Sequence, residues 1–298
     1  MSGAQTPRAA GRRRGTAATR LPDTAVDPAY SRLAPHYDRV FGSYARELNR
    51  WLVPWVKRLD PRPRSALDLA CGTGTTALAL ARVMPRCLAI DLRPEFAAIV
   101  SARAGKAAST RHLEARTGDM RTFRLAQRVD LVTCFFDAIN HLPRPTDIDR
   151  TFKSVHRALA PGGLFLFDIN TPWALKKTWP EMKAIWKGRG WFAVARGRYV
   201  KAREPRGPEN NGSKRGHPRG ARGHGEFDIH WFMRDTDGAY APRVERFREI
   251  AWTAAEVRAA LKKAGFAEIR TLNEPGLAPF VGETGKDRTF WVARREDA

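Results

Sequence analysis

The 298-residue sequence is poor in cysteine and has no long apolar run. No stretch approaches the roughly 18 apolar residues of a membrane-spanning helix. The basic N-terminus lacks the apolar segment of a secretory signal, so we expect a cytoplasmic protein. The three cysteines, Cys71, Cys87 and Cys134, fall in or beside predicted core strands. We interpret them as small buried side chains in a reducing compartment. Cys and His lack metal-site spacing, so no metal is expected.

Acidic residues are scarce too. The chain has 31 Asp and Glu against 53 Lys and Arg, a formal net charge of +22, which suggests a polyanionic partner. Much of the excess lies in residues 1–27 and roughly 202–224, which have no aromatic residues interleaved for base stacking. We therefore predict a disordered basic tail and a mobile basic loop, with nucleic acid as a possible but not favoured partner.

The chain is organised around a strand–glycine–helix sequence at residues 65–83. The apolar run ending at Leu69 is followed by Gly72 and Gly74, and a helix-forming run starts near Ala77. Such a turn brings backbone N–H groups and a helix N-terminus close to a ligand. The spacing Gly72-x-Gly74-x-x-Ala77 also fits a dinucleotide fingerprint. At this point NAD and other nucleotide-like cofactors both remain open.

Strands and helices alternate from Ser65 to about Phe167, which predicts a parallel sheet with helices on both faces. The predicted strands are 65–70, 87–91, 110–116, 129–135 and 164–167. A helix starting near Asp27-Pro28 and a second helix over 44–59 precede this pattern. Strands over 190–200, 225–234 and 243–252 follow it, and period-two alternation marks the middle one as antiparallel. The α/β pattern then returns, with Thr253 capping a helix that Gly265 ends.

Five segments follow from these patterns. They are a tail (1–27), an N-terminal helical segment (28–60), a strand–helix core (61–170), an antiparallel β segment (171–252) and the C-terminal part of the core (253–298). In open α/β sheets ligands bind at the carboxyl ends of the strands. Asp91 ends the second strand about twenty residues after the glycines, where a carboxylate can accept both ribose hydroxyls. Asp119 follows the third strand and could accept from an adenine amino group.

Five motifs occur in this order: Asp68-x-Ala70-Cys71-Gly72-Thr73-Gly74, Asp91, Gly118-Asp119-Met120, Asp130-Leu131-Val132-Thr133-Cys134 and Leu159-Ala160-Pro161-Gly162-Gly163. In this order they resemble the motifs of the class I S-adenosylmethionine-dependent methyltransferases. The resemblance covers about Tyr30 to Arg294 apart from the 202–224 insertion, and implies a Rossmann-like, seven-stranded sheet with its last strand antiparallel. It implies S-adenosyl-L-methionine as cofactor, with Leu92 packed on the adenine. Ala70 stands where the family often has a third glycine, a mild departure because alanine is also small. The implied cofactor residues are Asp68, Ala70, Gly72, Gly74, Asp91, Leu92, Asp119, Met120 and Phe135.

The segment Thr133–Leu142 resembles the loop after strand four of small-molecule methyltransferases, including the N,N-dimethyltransferases of amino sugars. This resemblance implies methyl transfer to N or O of a small-molecule acceptor. It also implies that residues 28–60 form an N-terminal helical lid, that residues 61–170 form the cofactor-binding core, and that residues 171–252 form an antiparallel β insert over the substrate. Methyl transfer needs a positioned nucleophile and a way to remove its proton. His141 is the candidate base, and Tyr30 and Tyr37 could orient the acceptor or shield the sulfonium.

Three alternatives stay open. An RNA-directed methyltransferase would use the basic tail and loop, although Phe135-Phe136-Asp137-Ala138 is not the Asn/Asp-Pro-Pro-aromatic run of enzymes that methylate exocyclic amines of bases. An NAD-dependent oxidoreductase fits the glycine spacing, but Asp68 within the strand and the Pro161-Gly162-Gly163 lead-in argue against it. A non-catalytic cofactor-binding protein would keep the same residues.

Overall fold

The structure, a computed structural model, describes residues 26–202, 222–234, 236–272 and 286–296. The predicted tail 1–27, apart from residues 26 and 27, lies outside the described residues, as does nearly all of the predicted loop 202–224. Within the described ranges, no helix is both long and apolar enough to cross a membrane.

The strands, in chain order, are β1 (Val26–Asp27), β2 (Ser65–Leu69), β3 (Arg86–Asp91), β4 (Leu113–Thr117), β5 (Val129–Cys134), β6 (Leu159–Asn170), β7 (Lys183–Gly188), β8 (Trp191–Val200), β9 (His224–Arg234), β10 (Tyr240–Ile250), β11 (Phe266–Leu272) and β12 (Arg288–Arg295). The α-helices are α1 (Tyr37–Val40), α2 (Gly42–Lys57), α3 (Thr75–Ala81), α4 (Pro94–Ala104), α5 (Pro145–Ala158) and α6 (Ala254–Ala264).

Seven strands form the core sheet in the order β11-β12-β6-β5-β2-β3-β4. Strand β12 runs antiparallel to both of its neighbours, and the other pairings are parallel. Successive β12 side chains point to opposite faces, as the pleat requires. Phe290 packs with α2, α3 and α4 on one face, and Trp291 packs with α5 and α6 on the other. The predicted seven-stranded, mostly parallel sheet with helices on both faces is confirmed.

A second sheet has the order β1-β10-β9-β8-β7, and its strands β7 to β10 are inserted between β6 and α6. Strands β7 to β10 pair antiparallel, and β1 adds a short parallel pairing. The three predicted insert strands correspond to β8, β9 and β10. Strand β7 was missed because it is an exposed edge strand, with Ile185 74% exposed between two lysines. The domain boundaries drawn from the sequence stay predictions.

Two predicted elements were wrong in detail. No helix begins at Asp27-Pro28, because residues 28–33 form turns and a 3₁₀-helix starts only at Ala34. Tyr30 lies there at φ 69°, outside the right-handed helical region. Strand β6 also starts earlier than predicted, at Leu159, so the Pro161-Gly162-Gly163 lead-in lies within the strand. The predicted cap at Thr253 and stop at Gly265 are both present around α6.

Candidate functional site

A cavity of about 450 Å³ opens at the carboxyl ends of β2, β3, β4 and β5, beneath the N-terminal helices. This is the edge at which open α/β sheets bind ligands. We call it the cofactor-side cavity. Its lining includes the following residues that were predicted from the sequence: Tyr30, Tyr37, Asp68, Ala70, Gly72, Asp91, Leu92, Asp119, Met120, Phe135 and His141.

Gly74 is the predicted residue that does not line this cavity. It precedes α3 at φ 77°, a conformation that favours glycine. A Cβ built there would lie 2.6 Å from Cγ2 of Val100 on α4. Gly74 therefore lets α3 start close to α4, whereas Gly72 (φ 53°) faces the cavity, where a Cβ would meet only the Tyr37 ring, at 3.8 Å.

Asp68 ties strand β2 to its neighbours from inside the sheet. Its carboxylate accepts the Ala77 N–H at 3.1 Å and the Thr133 hydroxyl at 2.8 Å. Burial raises the pKa of Asp68 to about 7, although both hydrogen bonds favour the charged form. Asp68 thus anchors the N-terminal turn of α3 and places a carboxyl group in the cavity wall.

Asp91 fixes the glycine loop. One carboxylate oxygen accepts the Gly72 N–H at 2.9 Å, and the other accepts the Arg93 N–H, also at 2.9 Å. Burial raises the pKa of this carboxyl group, and the backbone donors oppose that shift. Arg93 is the N-cap residue of α4, so its hydrogen bond to Asp91 also fixes the start of that helix. Each oxygen keeps a lone pair that can still accept a hydroxyl.

The remaining cofactor-side residues form the far end of the cavity. Arg121 donates to both oxygens of Asp119, with Nη2 at 2.6 Å, and this hydrogen-bonded ion pair lowers the pKa of the carboxyl. Met120 packs on the core, while Leu92 is 60% exposed. The exposed leucine offers an apolar surface that a flat ring could cover.

A second cavity, of about 370 Å³, adjoins the first on the side of the insert. We call it the acceptor-side cavity. Its walls are largely aromatic and include Phe227 and Phe247 from the insert. The two cavities share six lining residues: Tyr30, Tyr37, Phe41, Tyr44, Phe136 and His141.

His141 and Tyr30 meet at this junction. The Tyr30 hydroxyl lies 3.0 Å from His141 Nε2, and His141 Nδ1 lies 3.1 Å from the carbonyl oxygen of Arg248. A carbonyl only accepts, so the proton sits on Nδ1 and Nε2 offers a lone pair to the Tyr30 hydroxyl. Packed protein atoms lower the pKa of His141, and the nearby Asp137 partly opposes this shift. The imidazole is therefore neutral at pH 7.

Asp168, at the end of β6, joins three parts of the fold. Its fully buried carboxylate accepts from the Tyr44 hydroxyl at 2.8 Å, the Asp137 N–H at 3.0 Å and Arg288 Nη1 at 2.6 Å. Phe136 and Asp137 both have left-handed backbone conformations, at φ 65° and 55°. Asp168 thereby holds a strained segment between the two cavities.

Asp137 continues this polar cluster into the acceptor-side cavity. Its carboxylate pairs with Arg288 Nη1 at 2.6 Å. Glu249 accepts from Asn170 Nδ2 at 2.7 Å, and burial beside Asp137 raises the pKa of Glu249 well above its usual range. Asp137, His141 and Glu249 each place a potential ligand atom within 4.8 Å of the other two. The Arg288 guanidinium already supplies a cation beside Asp137. The absence of a bound metal, which we expected from the sequence, stays a prediction.

The sequence reasoning missed Tyr44, Glu245, Glu249 and Arg288. In β10 the buried side chains Glu245, Phe247 and Glu249 alternate with the exposed Arg246 and Arg248. This period-two pattern places two carboxylates on the buried face of the strand. The alternation is visible in the sequence and could have identified both residues. Arg288 offered no such signal, because its partners lie more than 100 residues away.

The sheet order, with the antiparallel β12 between β6 and β11, is that of a Rossmann-like, class I methyltransferase fold. Residues 66–163 match a family model described as a methyltransferase domain. Residues 66–163, which run from β2 into β6, are therefore similar in sequence to a methyltransferase domain.

Known proteins similar to this chain agree with that assignment. The putative methyltransferase YqeM of Bacillus subtilis is 31% identical over 153 residues, which cover 51% of this chain and 60% of that protein. The dTDP-3-amino-3,6-dideoxy-alpha-D-glucopyranose N,N-dimethyltransferase of Streptomyces fradiae is 31% identical over 144 residues, or 47% and 53% of the two chains. The chain thus spans somewhat more than half the length of these relatives.

A solved structure matches over a longer range. The S-adenosylmethionine-bound amino pentose methyltransferase CalS10 of Micromonospora echinaspora superposes with a TM-score of 0.62 at 20% identity, and the match covers 91% of this chain and all of that one. At this identity the likeness concerns the fold.

Proposed function

We propose that the protein transfers a methyl group from S-adenosylmethionine to a nitrogen or oxygen of a small-molecule acceptor. The observation that carries this proposal is the pair of adjoining cavities, with the neutral His141 and Tyr30 at their junction. One cavity lies at the strand ends where a nucleotide-like cofactor binds, and the other is enclosed by the insert. A reacting group from each side can therefore meet at the shared wall.

The residues of the cofactor-side cavity suit S-adenosylmethionine. Its volume, about 450 Å³, lies within the ordinary range for small-ligand sites. Gly72 leaves open space where any other residue would place a Cβ toward the cavity. Asp91 retains lone pairs for ribose hydroxyls, Asp119 is an acceptor for an adenine amino group, and Leu92 provides apolar cover. We propose these roles, with Phe135 in the adjoining wall.

S-adenosylmethionine would supply a methyl group already activated on a sulfonium. The protein then has to orient the acceptor and take up its proton. His141 Nε2 carries the lone pair that can do this, directly or through the Tyr30 hydroxyl. Tyr37 lines both cavities and would shield the junction from water.

Nitrogen is the favoured acceptor atom. Among the described residues that line the acceptor-side cavity, Asp137, Glu249 and Asp287 carry carboxyl groups, and the one guanidinium, Arg288, is paired with Asp137 and Asp168. Burial raises the pKa of Glu249, so the attraction for a cation does not depend on the charge of that residue. Such a wall attracts an ammonium group, and the aromatic side chains add favourable contacts with a cation. The neutral His141 can then take a proton from the bound amine.

The test is equilibrium binding of tritium-labelled S-adenosylmethionine, followed by a metabolite screen with labelled methyl donor. Wild type and Asp91→Ala are run side by side. We expect micromolar binding and methyl incorporation by the wild type, and strong loss of both in Asp91→Ala. Binding of NAD in place of S-adenosylmethionine would overturn the proposal.

The sheet also bears on the oxidoreductase alternative. Dinucleotide-binding sheets commonly have the parallel order 3-2-1-4-5-6. Here the antiparallel β12 lies between β6 and β11, which favours the methyltransferase. The RNA-directed alternative rested on segments that lie mostly outside the described residues. A salt-dependent gel shift with RNA, together with methyl transfer to that RNA, would support it.

A further inference from the structure

Glu245 is a buried carboxylate of the insert that faces the turn at residues 28–33. One oxygen accepts the Arg32 N–H at 2.7 Å, the Leu33 N–H at 3.4 Å and the Ser31 hydroxyl at 3.4 Å. The other oxygen accepts the indole N–H of Trp231 at 2.8 Å. Glu245 is fully buried, and these four partners are all donors. They require an acceptor at both oxygens, which a carboxylate provides.

The turn that Glu245 holds has an unfavourable backbone. Tyr30 adopts φ 69°, which costs an L-residue about 1–2 kcal/mol. Successive N–H groups of a turn form a concave anion site, and here a side chain of the same protein fills it. Without the carboxylate, the N–H groups of Arg32 and Leu33 would lose this acceptor, so the turn would rearrange. The strained position of Tyr30 is therefore maintained from outside the turn.

Strand β10 contacts the site through three successive inward side chains. Glu245 binds the backbone of the turn, and Phe247 packs edge-on against the Tyr30 ring with centroids 4.9 Å apart. Glu249 lies within 4.8 Å of His141, measured between potential ligand atoms. The distance from the Tyr30 hydroxyl to His141 Nε2 thus depends on how the turn sits on β10.

We propose that Glu245 is a positioning residue for the proposed methyl transfer: it sets the backbone of Tyr30 so that the hydroxyl reaches His141 Nε2. This inference rests on the proposed function. Glu245 acts through Tyr30 and contacts neither cavity's ligand.

The first test is an NMR titration of the His141 ring, which needs neither cofactor nor acceptor. The chain has seven histidines, so the signal is assigned by its loss in His141→Gln. The charged or titratable groups facing the ring are Tyr30, Asp137 and Glu249, with the Arg248 carbonyl on Nδ1.

Glu245→Gln keeps the side-chain volume, but the amide has only one oxygen. Its NH₂ group would therefore face either the donors of the turn or the indole N–H of Trp231, which it cannot accept from. We expect the Tyr30 turn to loosen and water to reach the imidazole, so the pKa of His141 rises toward its ordinary value. Tyr30→Phe should raise this pKa in the same direction, and the double variant should add nothing further. Asp228→Asn, which alters a carboxylate paired with Arg246 and Arg198 elsewhere on the same sheet, should leave the titration unchanged.

The outcomes separate this inference from the proposed function. An unchanged pKa of His141 in either single variant would overturn the role of Glu245. So would a double variant in which the two pKa shifts add. If Glu245→Gln does not fold, Glu245→Asp keeps the charge on a shorter side chain and should give a shift in the same direction. Failure of the wild type to bind labelled S-adenosylmethionine would count against the proposed function and leave the titration result standing.

Turnover supplies the second test once an acceptor is found. Glu245→Gln and Tyr30→Phe should lower kcat by the same factor, about 10- to 100-fold, because both remove one contribution to proton transfer. Equal kcat for Glu245→Gln and wild type would contradict the proposal. Asp228→Asn serves again as the matched control.

Discussion

The two cavities are built from different kinds of contact. On the cofactor side, Asp91 binds Gly72 and Asp68 binds Ala77, pairs 19 and 9 residues apart. On the acceptor side, Tyr30 contacts His141 across 111 residues, and Asp168 contacts Arg288 across 120. The strand ends and loops of the first cavity are a local product of strand–loop–helix units, and the N-terminal helices cover them. The second exists only once the N-terminal segment, the insert and β12 have docked on the core.

The carboxylates of the two sides also differ in their partners. Asp68 and Asp91 accept mainly from backbone N–H groups, which have fixed positions. Asp137 and Asp168 pair with the guanidinium of Arg288, so each depends on the placement of a distant strand. We therefore expect substitutions on the cofactor side to act locally and those on the acceptor side to spread.

His141→Ala should give the largest effect. It tests whether turnover can be lost on the acceptor side while cofactor binding on the other side is kept. Loss of the base should lower kcat about 10²- to 10⁴-fold with a found acceptor. Affinity for labelled S-adenosylmethionine should stay within about threefold, because the cofactor residues hold one another locally. His230→Ala, on a half-buried insert residue, is the matched control. Unchanged turnover in both His141→Ala and Tyr30→Phe would show that the acceptor site lies elsewhere.

Asp168→Ala tests how far an acceptor-side change spreads. It removes the acceptor for Tyr44, for the Asp137 N–H and for Arg288, and leaves the buried guanidinium with one carboxylate fewer. We expect a loss of about 3–5 kcal/mol in the free energy of unfolding, measured in urea. Asp149→Ala removes the partly exposed pair with Lys263 and should cost less than about 1 kcal/mol. Equal losses would mean that the Asp168 cluster contributes no more than a surface pair.

The pH dependence of stability tests the cofactor side. The folded protein raises the pKa of Asp68 from 3.8 to about 7, so between these values the folded chain holds a proton that the unfolded chain has released. This contribution to stability is therefore greatest at the acidic end and declines as pH rises toward 7, by at most about 1.4 kcal/mol per pH unit. Asp68→Asn should flatten that slope in urea unfolding at pH 4.5 to 7.5. An unaltered slope would contradict the raised pKa.

The same comparison explains what the sequence could predict. The core sheet followed from apolar runs, glycines and caps at 65–170, which depend on neighbours in the chain. Asp91 and Asp119 were found because strand ends in a parallel sheet meet at one edge. Asp68, which lies within its strand, was found from the resemblance of its motif to the methyltransferase family. Such reasoning needs the order of elements but no long-range docking.

The acceptor side could be predicted only in part. His141 was found from its loop, but the turn that carries Tyr30 was taken for a helix. The apolar spacing of Tyr30, Leu33 and Tyr37 suits a helical face, and nothing near it in sequence signals the left-handed Tyr30. Glu245, which satisfies the N–H groups of that turn, lies more than 200 residues away. Local periodicity has no access to such a contact.

Ala70→Gly should give the smallest effect, and it bears on why this position departs from the family pattern. Size was the reason inferred from the sequence, but Ala70 lies at φ 55°, where an L-residue is strained. Glycine relieves about 1–2 kcal/mol of strain and adds about 0.5–1 kcal/mol of unfolded-state entropy. We expect unfolding in urea to report a net stabilisation below about 1 kcal/mol.

Ala102→Gly, at an exposed position of α4, is the control and should instead destabilise the protein by about 1 kcal/mol. If both glycines destabilise, the Ala70 methyl contributes more through packing on the core than it costs in strain, and size is the better explanation for the alanine. If their signs differ, the backbone of the loop favours glycine, and the cofactor side tolerates alanine only because its local hydrogen bonds outweigh the strain.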